Sequence, residues 1–448
     1  MKLTRRKFMS STIASGATLL ATRKALSESQ SITTTKRRPN IIFILADDLG
    51  WGDLSCYGRP DYRTRNLDQL AAEGIKFTDA YSASAICTPT RCGFITGRYP
   101  ARLKIGLREP LPANDYSVGL DPNHPTVASL LKKNGYATAL IGKWHLGFKP
   151  EWGPNAHGFD EFFGSLAGAV DYHEHKTGRG DPDLFENLTP VEQHGYLTDL
   201  LTDRAIRYVK EHRNSPFYLS LHYTAPHWPW QNRQGGEAVI FTDKTIEPIT
   251  MGGGGSLKLY ADMMRSLDDG IGRVLKALKV AGLAENTLVV FTSDNGGERY
   301  SYDWPFSGGK GDLLEGGIRV PAIARWPGVI PAKTVTQQVA ITMDWTATIL
   351  AVTNTKPADG YPLDGIDLLP TMKTARATRE RMLFWRIGDQ DAVRNGDWKY
   401  FRKGEQRYLF NLSADAHEQA NYSSKNPEIL SRLAAEFKKW DQQMLPRK

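Results

Sequence analysis

The stretch NIIFILADD, residues 40–48, joins an apolar run to a pair of carboxylates. The run does not alternate polar and apolar side chains, which is typical of a strand buried on both faces of a parallel sheet. Asp47 and Asp48 then follow the carboxyl end of that strand, where open α/β sheets bind their ligands. The stretch therefore predicts a parallel sheet with a ligand site at its edge.

The same arrangement of an apolar run and a polar cluster recurs along the chain. The runs and the clusters that follow them are 137–141 before Gly142-Lys143-Trp144-His145, 217–222 before Ala225-Pro226-His227, and 288–292 before Ser293-Asp294-Asn295-Gly296-Gly297. Helical patterns lie between these runs, at residues 126–134, 197–212 and 257–281. This alternation predicts an α/β fold, with a large mixed, mostly parallel sheet sandwiched by helices. We expect the polar clusters to meet at one edge of that sheet.

Beyond about residue 360 the pattern changes to short strands separated by turns. The strand-like runs are 381–386, 391–394, 398–402 and 408–412, and an amphipathic helix is expected at 427–443. We therefore predict a catalytic domain over residues 36–360. A smaller C-terminal α+β subdomain of antiparallel sheet plus terminal helix is expected over residues 361–448.

The first 27 residues resemble an export signal. A twin-arginine pattern at residues 4–9 precedes a weakly apolar stretch at 10–21 that is too short to span a bilayer, and small residues at Ala25 and Ser27 suit a cleavage site. We predict a twin-arginine signal peptide over 1–27, read by the twin-arginine export machinery, and a periplasmic or secreted protein. A disordered basic terminus is the alternative.

Net charge argues against nucleic acid as a partner. The formal charge is +8, and residues 1–27 contribute six positive charges and no acidic residue, so +2 remains for the rest of the chain. That balance provides no strong basic field for nucleic acid or for stable membrane association. A preference for an anionic substrate should therefore come from a local site.

The three cysteines do not form a disulfide framework. They are Cys56, Cys87 and Cys92. In an oxidising compartment Cys56 and Cys92 could pair and leave Cys87 alone, and two buried free thiols are equally compatible with the sequence.

Two strand-end clusters offer oxygen ligands for a cation. Adjacent carboxylates at Asp47 and Asp48 repel each other unless a cation or donor neutralises them. Asp294 and Asn295 add two further hard oxygen donors on what should be a neighbouring strand. Either pair alone is also compatible with an ordinary cap or turn. Together they predict a site for a hard divalent ion.

The segment CTPTR, residues 87–91, followed by Cys92 and by Thr96-Gly97-Arg98, resembles the signature of the type I sulfatases, Cys-x-Pro-x-Arg and Thr-Gly-Arg. Thr90 stands where that family more often has Ser or Ala, and it keeps a hydroxyl. Taken without the family, Cys87 could be a buried small apolar residue or a thiolate nucleophile whose pKa Arg91 lowers. The resemblance extends over most of residues 38–412 and implies an alkaline phosphatase-like fold.

The resemblance also implies the chemistry. Cys87 would be oxidised to formylglycine by a formylglycine-generating enzyme or a radical maturase. One hydroxyl of the hydrated aldehyde would attack sulfur, and the other would later expel sulfate. The aldehyde-derived group would join Asp47, Asp48, Asp294 and Asn295 around one divalent cation, for which Ca²⁺ suits all-oxygen ligation and Mg²⁺ is possible.

Further segments match the family in order, and the roles of their residues follow from the resemblance. Lys143 would bind sulfate and the formylglycine, and His145 would act as the base that triggers sulfate release. His227 would hold sulfate and help to protonate the leaving oxygen. Lys310 would bridge sulfate and the leaving oxygen. Glu315 and Arg319 are expected to be structural partners beneath the site.

The substrate is expected to be a sulfated carbohydrate, such as a polysaccharide or glycosaminoglycan. Asp171 and His173 are candidates for contacts to sugar hydroxyls, although a solvated loop is an equal alternative. The tryptophans near the site could stack on sugar rings or belong to the core or rim: Trp144, Trp228 and Trp230. The local cations are Arg91, Lys143, Lys310 and histidines expected to be protonated. Two other functions stay open, a phosphodiesterase or phosphonate hydrolase of the same superfamily and a non-catalytic binder of sulfated glycans.

Overall fold

A computed structural model describes residues 37–235, 254–377 and 380–447. The predicted signal peptide at 1–27 lies outside the described residues. Pro39–Lys448 form one compact unit that contains all the strands given below. Within the described residues no helix is long and apolar enough to cross a membrane.

The central feature is a ten-stranded mixed sheet in the described part of the chain. Its strands are β1 Asn40–Ala46, β2 Ile75–Phe77, β4 Ala137–Gly142, β5 Glu161–Gly164, β6 Phe185–Glu186, β7 Thr189–Pro190, β8 Phe217–His222, β9 Thr287–Ser293, β10 Ala322–Arg325 and β11 Thr334–Thr336. They lie in the order β11-β2-β10-β9-β1-β8-β4-β5-β6-β7. A separate pair is formed by β3 Ala80–Tyr81 and β12 Ala340–Ile341.

The middle of this sheet is parallel. β1 pairs in parallel with β8 on one side and with β9 on the other, and β4 pairs in parallel with β8. β10 is antiparallel to both β9 and β2. The prediction of a mixed, mostly parallel sheet is therefore confirmed.

The helices cover both faces of the sheet, because alternate residues of each central strand point to opposite sides. Ile42 and Ile44 lie in one apolar cluster with the helices Leu197–Glu211 and Leu257–Val280, while Ile41 and Phe43 lie in another with the helices Cys87–Thr96, Val127–Lys133 and Thr342–Val352. Burying one such side chain contributes about 1.5–3 kcal/mol. The helices are α1 Arg65–Ala72, α2 Cys87–Thr96, α3 Val127–Lys133, α4 Leu197–Glu211, α5 Leu257–Val280, α6 Glu315–Ile318, α7 Thr342–Val352, α8 Leu369–Thr374 and α9 Pro427–Asp441.

A second, smaller sheet follows in the C-terminal part. Its antiparallel strands are β13 Met382–Ile387, β14 Gln390–Asn395, β15 Trp398–Lys403 and β16 Gln406–Asn411. Apolar residues of this sheet and of α9 share a third cluster with Tyr81, Leu313 and Ile318 of the preceding part of the chain. The predicted antiparallel sheet with a terminal helix is confirmed, whereas the boundary at residue 361 stays a prediction.

Candidate active site

The strand register brings the predicted polar clusters to one edge of the sheet. Leu45 of β1 lies opposite His222 of β8, and Ala46 lies opposite Ser293 of β9. Gly142 of β4 also lies opposite His222. The residues that follow these strand ends therefore lie close together at one edge of the sheet. In β1 the first of these residues is Asp47.

A glycine allows the closest approach between two of these strands. Gly142 has a φ of 118°, and a Cβ there would lie 1.8 Å from the carbonyl oxygen of His222. The next residue, Lys143, donates its backbone N–H to that carbonyl at 2.9 Å. Only glycine fits this position without displacing β8, and the fit directs Lys143 into the site.

Cys87 is the first residue of α2 and is buried. Pro89 lies in the first turn, where the missing N–H has no partner within the helix in any case. Arg91 follows Cys87 by four residues, about one helical turn, so both side chains lie on the same face. Thr90 Oγ1 accepts from Ser84 N at 3.0 Å and donates to Ser84 O at 2.9 Å, so its hydroxyl fixes the segment that leads into the helix.

The Cys87 side chain does not resemble an activated thiolate. Burial raises the pKa of the Cys87 thiol, and Asp47 and Asp294 raise it further, against the opposing effect of Lys143 and Lys310. This direction disfavours the alternative in which Arg91 lowers that pKa and makes Cys87 a thiolate nucleophile. All three cysteines are free in the structure, so the Cys56–Cys92 disulfide is not formed.

Arg91 is occupied by the protein itself. Its Nε and Nη2 donate to Asp294 Oδ2 at 3.1 and 2.9 Å, and its Nη1 donates to the backbone carbonyl of Lys143 at 3.0 Å. The side chain is 1% exposed. Arg91 therefore aligns two strand ends beneath the site.

The four predicted cation ligands come together and are all buried. Asp48 N donates to Asp294 Oδ1 at 3.2 Å, and Asn295 Nδ2 donates to Asp48 Oδ1 at 2.7 Å. Asp47 Oδ1 and Asn295 Oδ1 are buried without a hydrogen-bond partner. Buried polar atoms are normally paired, and unpaired oxygens beside carboxylates are suited to a hard divalent cation. The residues therefore fit the predicted cation.

Geometry adds one histidine to this group. Single ligand atoms of Asp47, Asp48 and His227 lie within 4.8 Å of one another, and among the described residues this is the one such group of three or more His, Cys, Asp or Glu side chains. The family resemblance had instead implied that His227 holds sulfate and helps to protonate the leaving oxygen.

The carboxylates of this group titrate in opposite directions. Burial raises the pKa of Asp48, but Lys310, His227 and Lys143 outweigh it and hold that pKa well below its usual range. Burial and the adjacent Asp47 raise the pKa of Asp294. Part of the rise for Asp294 comes from repulsion by Asp47, which a bound divalent ion would reduce.

His145 presents a free ring nitrogen. Its Nε2 lies 2.9 Å from the carbonyl oxygen of Leu111, so Nε2 carries the proton, and Nδ1 is buried without a partner. Burial, then the charge of Lys143, lowers the pKa of His145 well below its usual value. The ring is therefore neutral, with a lone pair available to accept a proton.

His227 and Lys310 lie together beside the Asp48 carboxylate. Lys310 Nζ is 2.6 Å from Asp48 Oδ2 and 3.2 Å from His227 Nε2. Burial, then Lys310, lowers the pKa of His227 to about 3. His227 Nδ1 donates to the carbonyl of Trp228, so Nε2 offers a lone pair to the lysine. Both shifts run against the expectation of protonated histidines, because burial and neighbouring lysines disfavour the charged form of His145 and His227.

Several residues of the site were not identified from the sequence. Glu298 lies 3.9 Å from Lys310 Nζ, and Tyr172 donates its hydroxyl to the backbone carbonyl of His227 at 2.9 Å. His222 contacts Arg91 Nη1 at 3.4 Å through Nδ1. Only Glu298 had a sequence signal, since it follows the Asp294-Asn295 turn directly.

The substrate candidates on the 171–175 turn have partners within the protein. The Asp171 carboxylate accepts from His173 N at 2.8 Å and from Gln231 Nε2 at 2.6 Å, and His173 Nε2 contacts the carbonyl of Asn232 at 2.9 Å. Their contact with substrate stays a prediction.

The tryptophans near the site divide by exposure. Trp144 and Trp230 are 1% and 4% exposed, so they belong to the core and cannot stack on a sugar, whereas Trp228 is partly exposed. Beneath the site, Arg319 Nη1 donates to Glu315 Oε2 at 3.1 Å, which confirms the expected structural pair.

Comparison with known proteins agrees with this geometry. The family model for the sulfatases matches residues 39–355. N-acetylgalactosamine-6-sulfatase of Rattus norvegicus is 35% identical over 81% of this chain and 71% of the relative. N-acetylgalactosamine-6-O-sulfatase of Bacteroides thetaiotaomicron is 31% identical over 89% of this chain and 92% of the relative.

A solved structure agrees over nearly the whole chain. The crystal structure of Ps i-CgsB in complex with k-i-k-neocarrahexaose has a TM-score of 0.81 at 31% identity, covering 92% of this chain and 94% of the other. Since the family model matches well over half of the chain and the relatives exceed 30% identity, the chain belongs to the sulfatase family of sulfuric ester hydrolases.

Proposed function

We propose that this sulfatase releases sulfate from a sulfated carbohydrate, using a formylglycine made from Cys87 and a bound divalent cation. The observation that carries the proposal is the strand-end cluster, in which Asp47 Oδ1 and Asn295 Oδ1 are buried without a hydrogen-bond partner and the charges of Lys143 and Lys310 act on the buried Cys87. Two relatives are named for N-acetylgalactosamine, and a similar structure holds a neocarrahexaose, which supports a sugar as the alcohol.

The cation would be held by Asp47, Asp48, Asp294 and Asn295, together with the oxygen introduced at residue 87. It would supply positive charge for the sulfate oxygens, and all-oxygen ligation favours Ca²⁺ over Mg²⁺. Formylglycine would supply a hydrated aldehyde whose oxygen is a stronger nucleophile than water. Arg91 keeps Asp294 oriented toward this site.

The chain's own residues then divide the remaining work. Lys143 and Lys310 bring cationic donors to the sulfate. Asp48 raises the pKa of Lys310 above its usual range against the effect of burial, so Lys310 stays protonated beside the leaving oxygen. The lone pair on His145 Nδ1 would accept a proton from a hydroxyl at residue 87 as sulfate departs. Neutral His227 positions Lys310 through its Nε2.

The protein would reach the periplasm or the exterior through its twin-arginine signal, after a maturase has oxidised Cys87. This part of the proposal rests on the sequence of residues 4–27 alone.

The experiment is mass spectrometry of the tryptic peptide 77–91 from active protein, with an aldehyde-reactive hydrazide as a second probe. An aldehyde at residue 87 is the expected result, and an unmodified thiol in active protein would refute the mechanism. Defined sulfated oligosaccharides and a matching set of phosphate esters then test the substrate. Turnover of aryl sulfates alone, or faster turnover of the phosphate esters, would contradict the carbohydrate sulfate assignment.

A further inference from the structure

Lys310 lies in an irregular segment between β9 and α6. Lys310 N donates to the carbonyl of Gly297 at 2.9 Å, and Gly311 N donates to the carbonyl of Ala85 at 2.9 Å. These two bonds tie the segment to the loop after Asn295 and to the approach to α2. Neither of them reaches Leu313, which is fully buried and whose N–H needs a partner from elsewhere.

That partner comes from the C-terminal sheet. Gln390 Oε1 accepts from Leu313 N at 3.0 Å, and Gln390 Nε2 donates to the carbonyl of Gly311 at 3.0 Å. The oxygen and the nitrogen of the Gln390 side-chain amide thus bond the two peptide groups that flank Asp312. Gln390 is 8% exposed, so little water is available to replace either bond. The side chain holds two peptide groups, directly after Lys310, at a fixed separation.

Gln390 is itself held firmly, because it is the first residue of β14 and follows the tight turn at Gly388 and Asp389. Gly388 N donates to the Glu109 carboxylate at 2.9 Å, and Arg447 Nη1 donates to the carbonyl of Gly388 at 3.2 Å. The turn is therefore anchored on both sides, and Gln390 connects it to the segment that contains Lys310.

We propose that Gln390 is a positioning residue for Lys310, and that the C-terminal sheet is therefore needed for the sulfatase reaction. The inference rests on the proposed function, in which Lys310 stabilises the leaving oxygen. Lys310 Nζ has close neighbours in Asp48 and His227, so a small shift of its backbone would change both distances. A displacement of about 1 Å at a reacting group can lower a rate by about 100-fold.

The test uses Gln390→Met, which keeps the length of the side chain and removes both hydrogen-bonding groups. The matched control is Gln406→Met, since Gln406 is the first residue of β16 and its exposed side chain accepts a hydrogen bond from Tyr408 of its own strand. Each protein, with Cys87 matured, is assayed on a carbohydrate sulfate and on a nitrophenyl sulfate. The nitrophenyl leaving group needs little stabilisation of its oxygen, whereas the sugar alkoxide needs much.

We expect Gln390→Met to lower kcat about 10- to 100-fold on the carbohydrate sulfate and less than about 3-fold on the nitrophenyl sulfate. Gln406→Met should leave both rates unchanged. Gln390→Glu provides a second variant of nearly the same shape, which keeps the acceptor for Leu313 N and places a carboxylate against the carbonyl of Gly311. It should show the same preference for loss on the carbohydrate substrate.

Thermal unfolding of each variant separates folding from positioning. Equal losses on both substrates, or no loss in a folded Gln390 variant, would overturn the inference. Failure of the wild-type protein to release sulfate from either substrate would instead overturn the proposed function.

Discussion

Replacing Gly168 by alanine should displace the ring of His145. A Cβ at Gly168 would lie 2.4 Å from His145 Cε1 and 2.7 Å from its Nε2, whereas ordinary contact begins at 3.4 Å. The ring must therefore withdraw by about 1 Å, the difference between 2.4 and 3.4 Å. That movement would lengthen or break the 2.9 Å bond from Nε2 to the carbonyl of Leu111, which sets the tautomer.

A misplacement of about 1 Å corresponds to a loss of about 100-fold, or about 2.7 kcal/mol in the activation free energy. Since His145 is proposed to act after sulfate has moved to residue 87, kcat and KM should fall together while kcat/KM changes little. Release of sulfate from a saturating substrate gives the measurement. Gly153→Ala is the control, because its Cβ would lie at an ordinary 3.4 Å from the carbonyl of Pro150. A folded Gly168→Ala protein whose kcat stays within about 3-fold of the wild type would refute the argument.

Three further predictions concern stability. Removing divalent ions with a chelator should lower Tm in thermal unfolding. Restoring Ca²⁺ at about 100 times its Kd should raise the free energy of unfolding by about 2.7 kcal/mol. An unchanged Tm would argue against the cation site. Lys399 is fully buried and pairs with Glu315 at 2.9 Å and Glu418 at 2.8 Å, so Lys399→Met should cost about 3–5 kcal/mol in denaturant unfolding, because the buried Glu418 loses its cation and Glu315 keeps only Arg319. A loss below about 1 kcal/mol would contradict that. Burial raises the pKa of Asp303 from 3.8 to about 8, so the native state holds this proton more tightly and stability should fall as pH rises across that window. Asp303→Asn should flatten that part of the pH profile, and an unchanged profile would count against the shift.

The central strands were predictable because their signal is local. β1 and β8 begin and end at the predicted residues, since largely apolar runs are typical of strands buried on both faces of a sheet. The antiparallel position of β10 between β9 and β2 was not predictable. Short strands carry too few residues to specify direction or neighbour, and their pairing depends on contacts distant in sequence.

The site shows the same division. The predicted cation ligands meet as expected, because parallel strands end at one edge of a sheet. Gln390 and Tyr172 were not identified, since each acts on backbone atoms that lie 55 or more residues away along the chain. A polar side chain in a short strand or turn carries no sequence signal for such a partner.

The sequence by itself determined the parallel sheet and the polar clusters at its strand ends. These features depend on residue type and on the fixed periods of strands and helices. Only the tertiary structure decided the lowered pKa of His145 and His227, the ion pair of Arg91 with Asp294, and the link between Gln390 and the Lys310 segment. Desolvation and Coulomb interactions depend on burial and on distances of a few ångströms, and folding sets both by bringing together residues far apart in sequence.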